Sequence, residues 1–349
     1  MKTGENNRID WIDCAKGIGM FLVILGHTVS QENATENLIR GSIFSFHMPL
    51  FFILSCTTFR FSEGNGQFVQ KTKRAFRHLI IPALIIYLLR IIIYIVNNAG
   101  TIGWKGFLTE KINVLIYSSG SDVNISGVVI PAFGMMWFFV VLFIGRSLFD
   151  YLHLNLKNTG FIVSICICTL LGIGIGMLQW IPLSFDIALA VMPFFLFGSY
   201  LKRIDISKRS ILFCFVSFAV WCLSFAVIYF GFHDYLELTG RRYPVFPLCY
   251  IAAIAGTMFV AYLSKMISGF VLAKPITYIG RYSLYFFCVH AMDYLYRFVW
   301  NRTGNNIING IIRICIDFVV TMILIKIISG LSSFIAKRKN VAEDIDGDG

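Results

Sequence analysis

Apolar stretches of about twenty residues recur along this chain, separated by short polar segments. Each is long enough to cross a hydrocarbon core of roughly 30 Å as a helix. Ten can be read: Trp11–Val29, Ile43–Phe59, Leu79–Val96, Phe133–Leu152, Phe161–Gln179, Leu183–Leu201, Ile211–Phe230, Val245–Leu263, Tyr282–Val299 and Ile307–Ile335. The pattern predicts an all-α polytopic integral membrane protein with about ten transmembrane helices. Residues 1–340 form one transmembrane domain, and 341–349 a short acidic tail expected to be disordered. The first run lacks a small-residue cleavage site and is expected to be retained.

The polar segments between the runs give an orientation. With the amino terminus inside, the inner segments hold nineteen basic residues, from Lys2, Arg8 and Lys16 to Lys337, Arg338 and Lys339. The outer segments hold six: Arg40, Lys105, Lys111, Arg241, Arg242 and Arg302. The positive-inside rule then places both termini in the cytoplasm. Composition agrees with a membrane protein, at 57% hydrophobic and 14% charged residues with mean hydropathy +0.74. The net charge of +11 is scattered among loops, so it does not point to nucleic acid. Two outer loops are long enough to bind or cover something, Asn97 to Ala132 and Phe232 to Pro244, although solvated connectors would look the same.

Polar residues inside apolar runs are costly and therefore informative. Lys16 and His27 are eleven positions apart, close to three helical turns, so they share one face about 16 Å apart along the axis. His47 is expected at the same membrane depth as His27. His290 lies just past the middle of the ninth run. On residue type alone, each histidine could equally be a packed, hydrogen-bonded residue. Arg74 and Arg77 share a face at i,i+3 on the inner side, where guanidinium suits phosphate. Three opposite-charge pairs at i,i+4 are read as structural: Arg146 with Asp150, Asp293 with Arg297, and Arg313 with Asp317. Arg90 is deep in the third run, facing either a polar passage or the membrane edge. Gly172, Gly174 and Gly176 fit close helix packing. The nine cysteines lie mostly in apolar runs without zinc spacing, and neither disulfides nor metal are expected.

Four segments together resemble a known family. They are Lys16 to His27, Phe46-His47-Met48-Pro49-Leu50-Phe51-Phe52-Ile53-Leu54-Ser55, Arg74-Ala75-Phe76-Arg77, and Gly280-Arg281-Tyr282-Ser283-Leu284 with His290. Their order and spacing resemble the membrane-bound acyltransferase family 3. The fucose 4-O-acetylase-like branch is the most similar, with Lys in place of Arg and Gly26-His27-Thr28 closing the first run. One departure is Cys56, where the family pattern has Gly after the Ser.

The resemblance implies a function. It implies an O-acetyltransferase carrying acetyl from cytoplasmic acetyl-CoA to a sugar or cell-envelope glycan, in a bacterial inner membrane. It makes His27 the catalytic residue, either as general base or as acyl carrier. Arg74, Arg77 and Lys16 become donor-binding residues, and His47, His290 and Ser283 possible acceptor or supporting residues. A secondary transporter or glycan exporter, and a non-catalytic membrane sensor, are the alternatives. The absence of an internal repeat weighs against the transporter.

Overall fold

The structure, a computed structural model, describes residues 9–125, 127–203 and 210–346, without the side chains of Ser210 and of 331–346. Lys2, Arg8, Lys208 and Arg209 of the basic inventory, and the last three residues of the acidic tail, lie outside the described residues.

The chain is helical apart from one hairpin. The first helices are α1 (Asp10–Gly26), α2 (Ala34–Phe44), α3 (His47–Thr57), α4 (Asn65–Ala75) and α5 (Ile81–Asn98). The outer loop of the sequence reading folds into α6 (Trp104–Tyr117) and an antiparallel hairpin, β1 (Val123–Ile125) and β2 (Val128–Ile130), with Val123 opposite Ile130. Then come α7 (Trp137–Asn155), α8 (Asn158–Leu178), α9 (Phe185–Ala190), α10 (Met192–Leu201), α11 (Ser210–Phe232) and α12 (Leu248–Ile267). The chain closes with α13 (Lys274–Arg281), α14 (Ser283–His290), α15 (Arg297–Trp300) and α16 (Asn306–Asp346).

Among the described residues, six helices are long and apolar enough to cross a membrane: Ala34–Thr57, Asn65–Asn98, Gly134–Asn155, Asn158–Leu178, Ile211–Phe232 and Leu248–Ile267. Pro182–Ala190 and Met192–Leu201, bent by 51° to each other, make a seventh if taken as one span. The expected ten is therefore not reached on length and composition. Three of the apolar runs differ from single spans for physical reasons. α1 is only 17 residues long and carries Asp10, Asp13 and Lys16. The sixth run breaks at Val191, because Pro193 sits in the first turn of α10 and cannot continue the α9 hydrogen-bond ladder. The ninth run stops as an α-helix at His290 and continues as a 3-10 turn, Asp293–Tyr296, into α15. The third run is instead longer than predicted, since α4 runs into α5 through a π-helical segment, Phe76–Ile80. Pro82, without an N–H, sits in the first turn of α5 just past this segment.

Burial separates a lipid face from a core. Only 17% of the apolar window of Asn65–Asn98, and 22% of those of Asn158–Leu178 and Ile211–Phe232, is buried inside the protein. For Ala34–Thr57 the share is 72%. The first three face lipid, and α3 is central. Phe52 of α3 packs on Phe138 and Phe195, with ring centroids 5.2 and 5.6 Å apart. Glycines let the backbones meet around this core. A side chain at Gly17 would strike the Ile276 carbonyl, and one at Gly280 the Asp13 carbonyl, so α1 and α13 touch backbone to backbone. Gly172 and Gly176 of α8 likewise receive the Ala190 N–H and the Asp186 carboxylate, whereas Gly174 faces open space. Cys56 rests its Cβ against Gly198 of α10. The small residue missing from α3 is thus supplied by the facing helix.

Candidate active site

His27 does not lie within a helix but caps one. α1 ends at Gly26, and the His27 N–H still reaches the Val23 carbonyl at 3.0 Å. The terminal carbonyls of a helix lack intrahelical donors and carry its negative dipole end. Here two arginines satisfy them. Arg40 Nη1 donates to the Gly26 carbonyl at 2.8 Å, and Arg313 Nη1 to the His27 carbonyl at 3.4 Å. Arg313 Nη1 also donates to Thr28 Oγ1 at 3.1 Å. The backbone of His27 is therefore fixed by cations from α2 and α16, while its ring is exposed between two cavities.

The larger cavity, of about 350 Å³, joins His27 to His47, Phe44 and Arg40, and its rim comes from the two long loops. Ser121 belongs to the first of these loops, and Glu237, Leu238 and Thr239 to the second. Both loops thus border the site. Glu237 accepts from Arg40 Nη2 at 3.3 Å, tying the second loop to α2. Arg241 anchors the same loop. It is buried, donates twice to Asp186 at 2.8 and 3.2 Å, and stacks 3.8 Å above the Trp180 ring. His47, only 3% exposed, donates from Nδ1 to the Ile43 carbonyl at 3.1 Å. That bond fixes its tautomer and leaves Nε2 as the acceptor nitrogen.

The smaller cavity, of about 260 Å³, lies on the other side of His27 and includes Asp293, Arg297, Trp300 and Arg313. Behind it stands His290, whose ring centroid is 6.1 Å from that of His27. His290 Nδ1 lies 2.8 Å from Asp293 Oδ2 and 3.1 Å from Asp317 Oδ2, so Nδ1 carries the proton and donates it to carboxylate. Its Nε2 is buried and has no hydrogen-bond partner among the described residues. An imidazole oriented by carboxylate at one nitrogen and free at the other has the arrangement of a base and its orienting group.

The predicted i,i+4 pairs are replaced by contacts between elements. Asp293 takes Arg313 rather than Arg297, through Nε at 2.5 Å and Nη2 at 2.9 Å. Asp317 takes His290 and the Tyr296 hydroxyl, the latter at 2.7 Å, rather than Arg313. Asp150 accepts from the Ser62 N–H and hydroxyl at 2.8 and 2.6 Å. A bidentate or doubly hydrogen-bonded partner satisfies more of a buried carboxylate than a flexible neighbour one turn away. His290, Asp293 and Asp317 bring three possible metal-ligand atoms within 4.8 Å of one another. Arg313 and Tyr296 already engage both carboxylates, Arg313 through an ion pair with Asp293 and Tyr296 through a hydrogen bond to Asp317.

A basic groove of about 370 Å³ lies at the other end of the same helices. Three helices establish the opposition. α3 begins with His47 at the cavity, and Thr58 and Arg60 just past its end line the groove. On α7, Trp137 is at the cavity and Arg146 at the groove. On the helix from Asn65 to Asn98, Arg74 is at the groove, whereas Arg90 donates to the Phe133 carbonyl at 3.4 Å, beside the cavity residue Gly134. Nine to eleven residues of helix separate the two sites on α7 and α3, a rise of roughly 15 Å.

The sequence-predicted residues therefore divide. His27, His47 and His290 come together. Arg74 lines the groove, and Arg77 is exposed one turn further on, outside its lining. Lys16 is half-buried on α1, three turns before His27. Ser283 opens α14, two turns before His290, and lies apart from the described cavities. Arg40, Asp293, Arg313, Asp317, Tyr296 and Glu237 also border the site, and the sequence alone does not point to them. Their charge inside or beside apolar runs was the available signal; their partners were not readable.

No curated protein and no solved structure matched the chain. A match to an acyltransferase domain extends over residues 9–330, from the start of α1 through the Arg313–Asp293–His290 network. With several helices apolar enough for a bilayer and a match over most of its length, the chain belongs to acyltransferase family 3 and is a multi-pass membrane acyltransferase.

Proposed function

We propose that the protein moves an acetyl group from cytoplasmic acetyl-CoA to a hydroxyl of a sugar or cell-envelope glycan, as the fucose 4-O-acetylase-like enzymes it resembles do. The observation that carries this reading is the placement of His27. Its ring opens into two cavities and has the carboxylate-held His290 beside it, while a basic groove lies some helical turns away. The acceptor hydroxyl approaches His27 and loses its proton to the imidazole. The oxygen attacks the thioester carbonyl, the C–S bond breaks, and the thiolate leaves and takes up a proton. In the covalent variant His27 itself attacks the thioester carbonyl and the C–S bond breaks, releasing the thiolate; the acceptor, giving its proton to His290, then attacks the acyl-imidazole and frees His27. His290 helps to hold or pass the proton, and His47 and Arg40 border the acceptor. Lys16, Arg74 and Arg77 attract the anionic donor. In this reading ten spans put both termini in the cytoplasm of a bacterial cell, with the groove facing inward.

The test uses the full chain purified in detergent with labelled acetyl-CoA and a panel of sugars. Release of CoA that depends on the sugar, with label recovered as an ester on it, is expected. CoA release that never transfers label to any acceptor, or no release at all, overturns the reading.

A further inference from the structure

Resting on the acetyl-transfer reading above, we infer that a slot between α5 and α6 holds the phosphate of a lipid-anchored acceptor, with Arg90 as its receptor, so that the acceptor glycan reaches His27 from the membrane. The slot, of about 280 Å³, runs along α5 from Tyr87 to Asn98 and is flanked by Lys111 of α6 and by Tyr294. Eleven residues of helix make it roughly 16 Å long. A charge in a membrane-spanning helix is costly, and Arg90 has neutral partners. It donates to the Phe133 carbonyl at 3.4 Å and lies 5.6 Å from the Tyr294 ring centroid. No carboxylate lines the slot. Glu110, outside the lining, pairs with Lys111, whose ammonium also lies 5.2 Å from the Tyr94 centroid. Arg90 is therefore left to meet an anion, and guanidinium bonds phosphoryl oxygens in pairs.

The surroundings of the slot select the anion. Leu88, Ile92 and Val96 form an exposed stripe on α5, and Leu108, Ile112 and Ile116 one on α6, each spaced by about a turn. Apolar stripes on a lipid-facing helix give an alkyl chain a place to lie. The slot also adjoins both cavities at His27. Tyr294 lines the smaller one as well, and Ala132 of the slot is two residues from Gly134 of the larger. In those cavities Arg40 is taken by Glu237 and Arg313 by Asp293, so a neutral sugar fits there better than a phosphate. Chain, phosphate and sugar thus find three adjoining places in that order. A phospholipid headgroup offers the same phosphate without the sugar, and the experiment separates the two.

Binding of dodecyl phosphate and of dodecanol, which shares the chain and lacks the phosphate, is measured on the full protein in phosphatidylcholine nanodiscs. The native protein should hold dodecyl phosphate more tightly. Arg90→Ala should weaken dodecyl phosphate by about 10- to 100-fold while changing dodecanol little, so the preference disappears. Arg90→Lys, which keeps the charge and guards against misfolding, should retain part of it. Acetyl transfer is then compared on one sugar joined to dodecanol either through a phosphodiester or directly as the glycoside. The phosphodiester should have the lower KM, and Arg90→Ala should remove that advantage. Equal binding of the two dodecyl probes by native protein, or a preference untouched by Arg90→Ala, overturns the slot. Arg90-dependent binding that phosphatidylglycerol discs abolish, with no KM advantage for the phosphodiester, makes the slot a headgroup site and overturns the acceptor assignment. Arg90-dependent binding of dodecyl phosphate by native protein that transfers acetyl to no acceptor overturns the acetyl-transfer reading, while the phosphate site stands.

Discussion

The histidine cavity and the basic groove sit on the same helices and are built by opposite rules. Around the cavity, almost every charge is spoken for: Arg313 by Asp293, Arg40 by Glu237 and the Gly26 carbonyl, and His290 by two carboxylates. Around the groove, cations gather with one carboxylate between them, and that one is occupied by Ser62. A site that moves protons needs its imidazoles held in one tautomer and one orientation, which takes a closed network. A site that receives an anion needs unspent positive charge, and tolerates exposure because the ligand supplies the missing partner. The same residue type, arginine, is thus a structural brace at one end and, in the proposed donor reading, a receptor at the other.

The contrast is sharpest at His27. Replacement by Asn keeps a hydrogen-bonding side chain and removes the base, and should lower acetyl transfer by about 100- to 10,000-fold. Coenzyme A affinity should hardly move. Near-native transfer by correctly inserted His27→Asn would shift the chemistry to His290 or His47.

A brace should show in stability rather than in donor affinity. Arg313→Ala strips Asp293 of its bidentate partner and frees the end of α1. It should cost about 3–5 kcal/mol, the usual penalty for breaking a buried pair, read as a lower unfolding midpoint in detergent. A midpoint equal to native would mean that the network is not closed in the way described.

A receptor should show the reverse. Arg74→Ala should weaken coenzyme A binding by about 1.5–3 kcal/mol and leave the unfolding midpoint in place. If Arg74→Ala unfolds the protein as Arg313→Ala does, the two ends do not differ as argued.

The smallest perturbation tests only where the ends face. Single cysteines at Lys105 and Lys157, both exposed, in a chain freed of its nine native cysteines should label from opposite sides of the membrane. Labelling from one side would break the ten-span orientation without touching the chemistry.

The sequence made the membrane class legible because hydrophobic runs need no tertiary information. It also marked the three histidines that converge, since ionisable groups in apolar runs stand out. It could not supply the partners. Asp293 has Arg297 four residues on and takes Arg313 instead, because the choice between them depends on how α16 lies against α14. It placed His27 near the end of the first run, but nothing local foretells that Arg40 and Arg313 hold the last carbonyls there. Continuous runs also concealed discontinuous helices. The breaks after Ala190 and His290 leave hydropathy untouched, although Pro193 marks the first of them.

The glycine contact between α1 and α13 has a mechanical meaning. His27 stands at the tip of one of these rods, and His290 at the tip of α14, which follows the other after a single residue. With Gly17 on the Ile276 carbonyl and Gly280 on the Asp13 carbonyl, there is no padding between the rods to compress or slide. They behave like the two tines of a fork, joined at the handle about ten residues, or roughly 15 Å, from the His27 tip. The spacing of the two imidazoles is then set in part by this contact of the scaffold. In the proposed reading, whatever opens to admit the acetyl group lies away from that handle.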